Sequence, residues 1–507
     1  MADIFSLTDI KVKSRIKPIK SQSVIECKCN VLSDEVSKIQ LVDVKIRPAG
    51  CEVLNGEVKY SGTCLFTLIY TAADNFVKKS ETMVEFSHKA LSNEIKPEYK
   101  ADISYCGEKA DVKLSGSGYT FSCVATADIN FYGNQVINLM SGGEGIMTKK
   151  EELNVCAPVT IVSASEKISE QISKSEIITQ ILLSSASAVI KECSCSALTV
   201  SCEGEIYLNL ITEGEKGEIK SFIEKLPFKL EIKDENVMPA YFAALNVRIK
   251  NQKLSVDCYE NSRKSLILAD IELEITGEVF ENKQTEAVTD VFSISNELET
   301  GFTKTDYICF KKVEIYTEKF SGTAALSTEL ESMVKIIGVC AEKAVITAYK
   351  FEENYIACDG IICGVTAYKD IEDKIGFMKI ELPFSVKLPV SDISEKDIIK
   401  LDGHITNIYA RCRKEKEIET DAEVKFTAQI YGVNTLNIMS GIKLLGLKPA
   451  CENAIKVYFP KNTDTLWDVA KELNCDPDTI MKQNGHLTFP YEGNCMVTLY
   501  KQVIGNR

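Results

Sequence analysis

Tyr60-Ser61-Gly62-Thr63-Cys64-Leu65-Phe66-Thr67-Leu68-Ile69-Tyr70 alternates along its length. On an extended chain Leu65, Thr67 and Ile69 fall on one side, and Cys64, Phe66 and Leu68 on the other. Aromatic and β-branched residues dominate, so the stretch predicts a strand. Twenty-four residues after Gly62 comes Phe86, in Val84-Glu85-Phe86. The same offset separates Gly204 from Phe228, in Leu226-Pro227-Phe228, and Gly360 from Phe384, in Leu382-Pro383-Phe384. Three equal offsets predict three copies of one unit, with each Pro-Phe pair marking a strand entry and each Phe in a core.

The far ends of the copies agree. Tyr132-Gly133 precedes Asn138-Leu139-Met140-Ser141-Gly142, and Tyr431-Gly432 precedes Asn437-Ile438-Met439-Ser440-Gly441 at the same spacing. The second copy instead ends Thr289-Asp290-Val291-Phe292-Ser293 and is the divergent one. A period of roughly 150 residues is that of a domain, not of a solenoid unit. Turn clusters such as Ala73-Asp74-Asn75, Gly214-Glu215-Lys216-Gly217 and Ser115-Gly116-Ser117-Gly118 separate the strands.

The last fifty residues read differently. Val457-Tyr458-Phe459 opens a short strand. Thr465-Leu466-Trp467-Asp468 has the form of a capping box, and Leu466, Val469, Ala470 and Leu473 make one apolar helical stripe. Asp476 and Pro477 start a second helix that Asn484-Gly485 ends, and a strand from Cys495 to Tyr500 closes the module. The expected architecture is mainly β: three tandem β-rich, sandwich-like repeat domains followed by a small βααβ domain. The expected limits are 1–20 for an N-terminal segment, 21–155, 156–308 and 309–450 for the repeats, and 451–507 for the module.

Composition narrows the function. The net charge of −14 disfavours a nucleic-acid partner. No window approaches eighteen apolar residues, and residues 1–20 hold no apolar run, so neither a membrane span nor a signal peptide is expected. The chain is expected to be cytoplasmic. Nineteen cysteines include no C-x-x-C, and three histidines (His88, His404, His486) lie in unrelated contexts. Reduced thiols are therefore expected, with no metal and no cofactor. His88 follows Ser87 at a strand end, but no histidine recurs across the three copies to support a nucleophile–base arrangement, and Ser141-Gly142-Gly143-Glu144-Gly145 lacks the ending of a phosphate loop. A non-enzymatic role is expected.

The C-terminal module resembles the LysM domain. Asp464, Thr465, Leu466, Trp467, Val469, Ala470, Asn484 and Gly493 match its pattern in order, Thr463 stands where the family has Gly, and Lys501 follows Tyr500 where the family closes with Pro. The repeats resemble the SPOCS domain, through Glu52-Val53-Leu54-Asn55-Gly56-Glu57-Val58 with Gly62 and Tyr70, and the later Leu-Pro-Phe elements. Three such domains followed by one LysM is the layout of SipL-like spore-coat morphogenetic proteins. That resemblance implies a scaffold or adaptor in the mother-cell cytoplasm, at the forespore surface, docked through its LysM domain onto the coat-basement ATPase SpoIVA. The LysM resemblance alone implies the alternative: binding of peptidoglycan or another N-acetylglucosamine glycan such as chitin. The groove would then lie between Asn462–Leu466 and Leu487–Tyr491. The expected partner- or glycan-binding residues are Asn462, Thr463, Asp464, Thr465, Trp467, Lys471, Asn484, Leu487 and Tyr491.

Overall fold

The computed structural model describes residues 5–14, 16–30, 35–74, 76–115, 118–215, 217–259, 264–326, 333–414, 417–449, 455–491 and 496–500. The fold is mainly β. The first repeat holds β1 (Phe5–Lys13), β2 (Ile19–Asn30), β3 (Val36–Leu54), β4 (Glu57–Ala72), β5 (Val77–Leu91), β6 (Lys100–Ser115), β7 (Gly118–Tyr132) and β8 (Asn134–Gly143). Sheets β3-β4-β5 and β2-β7-β6 enclose one core, centred on Phe66 and Phe121. The second repeat holds β9 (Met147–Lys174), β10 (Ile178–Ser196), β11 (Thr199–Gly214), β12 (Ile219–Lys233), β13 (Phe242–Tyr259) and β14 (Lys264–Phe292), in sheets β10-β11-β12 and β13-β14-β9. The third holds β15 (Asn296–Leu326), β16 (Met333–Glu352), β17 (Tyr355–Asp370), β18 (Ile375–Pro389), β19 (Ile398–Lys414) and β20 (Glu417–Leu447). Here the two sheets join at both edges, β16 to β19 and β15 to β18, and close a six-stranded ring.

The offset of twenty-four is a hairpin register. Gly62 faces Phe86, Gly204 faces Phe228, and Gly360 faces Phe384 across the hairpins β4-β5, β11-β12 and β17-β18. Each ring lies on its glycine, where a Cβ would stand 2.8, 2.4 and 2.3 Å from the ring. The same Cβ would meet a backbone carbonyl of the preceding strand: Arg47, Val189 or Val345. The three phenylalanines are buried, as expected, but sit mid-strand and not at strand entries. Pro227 is tolerated within β12 because β12 is an edge strand of its sheet, with a side on which no ladder N–H is needed.

The repeats are not strung in a line. Ile69, Ile211 and Ala367, each seven residues beyond its glycine, meet in one apolar cluster with Val77, Ile219 and Ile375, each fifteen residues beyond. Equivalent positions thus converge on a common junction. Gly338, in the same region, is so close to Ser221 that a Cβ would lie 2.7 Å from it.

On one side of this junction each repeat extends a two-stranded ribbon: β1 with β8, the start of β9 with the end of β14, and the start of β15 with the end of β20. Their inward residues form a shared core of Ile10, Val12, Ile137, Leu139, Val155 and Tyr307. Residues 1–20, expected as a separate segment, therefore supply strand β1, of which Ile10, Val12 and Lys13 are buried. The expected limits 155/156 and 308/309 fall inside β9 and β15, which run through them unbroken. Residues 147–155 pair with β14 of the second repeat.

A polar clasp joins all three repeats beside the ribbon bases. Arg248 of the second repeat bonds Asp102 of the first at 2.7 Å and its own Glu274 at 2.6 Å. Lys400 of the third also reaches Asp102. Gln429 of the third donates to Asn246 of the second at 2.9 Å, and Asn246 donates to Tyr132 of the first at 3.0 Å. Nearby, buried Lys13 pairs with Glu278 and lies over the rings of Tyr132 and Tyr431. Such partners are what keep these charges tolerable away from water.

Candidate functional site

The C-terminal module has β21 (Ile455–Tyr458), α1 (Leu466–Leu473), α2 (Pro477–Gln483) and β22 (Val497–Tyr500), with β21 antiparallel to β22. The caps are those the sequence predicts. Thr465 Oγ1 accepts from the Asp468 N–H while the Asp468 carboxylate accepts from the Thr465 N–H. Asp476 caps α2 with Pro477 in its first turn. Val469, Ala470, Leu473, Ile480, Val497 and Leu499 make the core. Gly493 and Cys495, used in the sequence reading, lie outside the described residues, as do Lys501, Asn75, Gly116, Ser117 and Lys216.

The module is seated on the end of the second repeat's ribbon. Trp467 Nε1 donates to Asp290 at 2.9 Å, and Lys471 Nζ reaches both oxygens of the same carboxylate at 2.7 and 2.8 Å. The Phe292 ring meets the Trp467 ring edge-on at 5.0 Å, and Met147 packs against the same core. Asn474 donates to the Ile294 carbonyl at 2.7 Å and accepts from Lys448. Burial opposes ionisation of Asp290, but the bonds from Lys471 and Trp467 outweigh it and hold its pKa below the usual value. Asp290 and Phe292 stand in the divergent ending of the second copy, where the first and third copies place Gly142 and Gly441 in the position of Asp290. That divergence was the available signal for the seat. Its meaning was hidden because Trp467 is 177 residues away.

The nine expected binding residues separate into three groups. Trp467 and Lys471 are turned to Asp290 of this same chain. Asn484, Leu487 and Tyr491 are buried. The Asn484 amide is a staple, donating to the carbonyls of Ile480 and Thr498 and accepting from the Thr498 N–H at 2.9 Å. Asn462, Thr463, Asp464 and Thr465 remain at the surface or half-buried. The two groove loops bond each other: the Thr463 N–H donates to the Tyr491 carbonyl at 3.0 Å, and the Tyr491 N–H to the Asp464 carbonyl at 2.8 Å. Backbone edges that a sugar would need are thus partly used within the module. Thr463 has φ of 84°, a left-handed conformation that glycine adopts freely and a β-branched residue does not.

No protein-family model matches this chain, and neither the curated proteins nor the solved structures contain a match to it.

The module's free face is its sheet. Lys456, Tyr458, Val497 and Leu499 turn toward the helices, so Ile455, Val457 and Tyr500 turn outward, with Phe459 and Met496 continuing the two lines. These five large apolar residues are 48–71% exposed. Single exposed apolar residues are ordinary, but five on one face of a two-stranded sheet form a patch.

A polar cavity of about 180 Å³ lies between the second and third repeats, lined by Ser185, Ser187, Asn209, Glu342, Lys343 and His404 among others. Burial pushes the Glu342 carboxyl up to about 7, and neighbouring Asp43 adds to the shift. Burial likewise lowers the pKa of His404. Among the described residues no group of three or more His, Cys, Asp or Glu side chains is placed to hold a metal ion. Among the described residues no helix is long and apolar enough to cross a membrane.

Proposed function

We propose that this chain is a non-enzymatic adaptor of spore-coat assembly that binds a SpoIVA-like coat-basement ATPase through the outer face of its C-terminal module. The partner comes from the resemblance of the layout to SipL-like proteins. The observation that carries the reading is the exposed apolar sheet face of Ile455, Val457, Phe459, Met496 and Tyr500. Dry aromatic and aliphatic anchors of this kind dominate the energy of protein interfaces. The opposite side of the module, with Trp467 and Lys471, anchors it to the β body through Asp290. The body then acts as a rigid platform, its repeats locked by the shared junction and the clasp, and the module presents one face outward.

Co-purification from sporulating cells tests this reading. The full chain should retain the ATPase and a chain lacking residues 451–507 should lose it. Equal recovery by both chains would sink the proposal. Retention of the full chain on insoluble peptidoglycan, above that of the truncated chain, would favour the glycan reading instead.

A further inference from the structure

Asn209 interrupts the outer face of β11. Leu208 and Leu210 point into the core of the second repeat, so Tyr207, Asn209 and Ile211 turn the other way. Tyr207 meets Lys425 of the third repeat and Ile211 joins the common junction. Asn209 lies between them, 2% exposed, and its side-chain oxygen has no hydrogen-bond partner. Buried polar atoms in folded proteins are nearly always bonded, so this one calls for a donor.

A second such oxygen lies in the same place. Glu342 is the extra residue of a β-bulge in β16, between Ala341, which pairs with Gly364, and Lys343, which pairs with Cys363. A bulge re-aims the side chain it carries. Glu342 Oε1 is buried and without a hydrogen-bond partner. Asn209 and Glu342 both line the polar cavity between the second and third repeats. Ser185 and Ser187 enter it from β10, where Ser185 pairs with Asn209 across the ladder. Lys343 and His404 close it at the seam where β16 meets β19.

The geometry points to this cavity as a binding site for a small neutral polyol of three or four carbons. The lining excludes the other classes. An anion would face the Glu342 carboxylate and the Asn209 oxygen. A cation would face Lys343 in the wall and Lys45 beside it, which bonds the Ser184 carbonyl. An apolar occupant would leave both oxygens unpaired. Hydroxyl groups suit both kinds of partner. Each can donate to one orphan oxygen and accept from the Ser187 hydroxyl or from Lys343. Lys343 Nζ bonds Cys106 Sγ and keeps two further N–H groups. The volume of about 180 Å³ is below the ~300–1,000 Å³ of pockets for drug-sized ligands, which limits the occupant to a few carbons.

Saturation-transfer difference NMR of the full-length chain tests the assignment, with glycerol and erythritol as probes. Both should receive saturation from the protein, and the signal should level off as the probe concentration rises. Asn209→Leu removes the acceptor and fills its place with an apolar group of similar size. It should weaken binding by about fivefold or more, as the loss of one hydrogen bond requires. Should Asn209→Leu fail to fold, Ser187→Val decides, because it removes a hydroxyl from the same wall and is expected to weaken binding in the same way. No transfer to either probe with the wild-type chain means that the cavity holds water only, and overturns the assignment. Transfer that rises without levelling off, or that is unchanged in the folded variant, places the probes elsewhere on the surface and overturns it too.

Discussion

Replacing Gly204 by alanine should be among the most damaging single-methyl changes in the chain. A Cβ at this position would lie 2.2 Å from the Val189 carbonyl oxygen and 2.4 Å from Phe228 Cζ. The phenylalanine ring can turn aside at the cost of its packing. The carbonyl cannot, because β10 is fixed to β11 by the ladder on both sides of it. Overpacking a filled core costs about 1–3 kcal/mol, and a backbone obstacle places Gly204→Ala at about 3. For a unit of this size that corresponds to a fall of roughly 6–12 °C in the midpoint of the second repeat. Scanning calorimetry of the full chain would read it. Gly441→Ala is the control, since nothing lies within 4 Å of a Cβ there. It should change stability by less than about 0.5 kcal/mol. Combining Gly204→Ala with Phe228→Leu should cost less than the sum of the two single changes, because the ring clash is then counted only once. A Gly204→Ala protein that melts like wild type, or strict additivity in the pair, would refute the reasoning from register.

Four further outcomes follow from the geometry. Glu342 has a folded-state pKa of about 7 against an ordinary 4.5, so the folded state holds its proton longer than the unfolded state. Its contribution therefore turns unfavourable as pH rises through that window, by up to about 3 kcal/mol; Glu342→Gln should be stabilising at pH 8 relative to pH 5 in urea titrations, and an equal effect at both would contradict the assignment. Asp290→Ala should release the sole tryptophan from its seat, seen as a red shift and stronger iodide quenching of Trp467 fluorescence. The wild type should show the same change as pH falls through the lowered Asp290 pKa, since that bond is intact above the ordinary carboxylate range and lost below it. Thr463→Gly should raise the stability of the module by about 1 kcal/mol by relieving the left-handed threonine, measured by hydrogen exchange of α1 and α2. Arg248→Met should cost about 2–4 kcal/mol by leaving Asp102 with weaker partners, measured as a loss in chemical stability of the whole β body.

The strands and the caps of the module were legible because they depend on neighbours a few residues apart. The period-two pattern at Tyr60–Tyr70 and the Thr465–Asp468 box are local signals with one physical reading. The offset of twenty-four was legible too, because a hairpin has a fixed register and Gly62 must face Phe86. The common junction was not, since Ile69, Ile211 and Ala367 look like any buried strand residues and carry no mark of where their outer face goes. The site was half legible. Trp467 and Lys471 were expected to meet a partner or glycan, and both turn instead to a carboxylate of the second repeat. Asn484 and Tyr491 sit at loop positions in sequence and at core positions in space. The sheet face around Phe459 escaped attention because it is a few alternating residues in a strand of four.

The proposed adaptor role rests on that face, and one titration tests it most directly. The full-length chain and its Phe459→Asp variant are titrated calorimetrically into purified SpoIVA-like ATPase, with hydrogen exchange of α1 showing that the module stays folded. A charge at the centre of a dry contact should weaken binding by at least tenfold, a loss of about 1.4 kcal/mol or more. Trp467→Phe, on the seated side, should bind within about twofold of wild type, a difference of roughly 0.4 kcal/mol. Binding that survives Phe459→Asp unchanged, or no binding by the wild-type chain, would contradict the account.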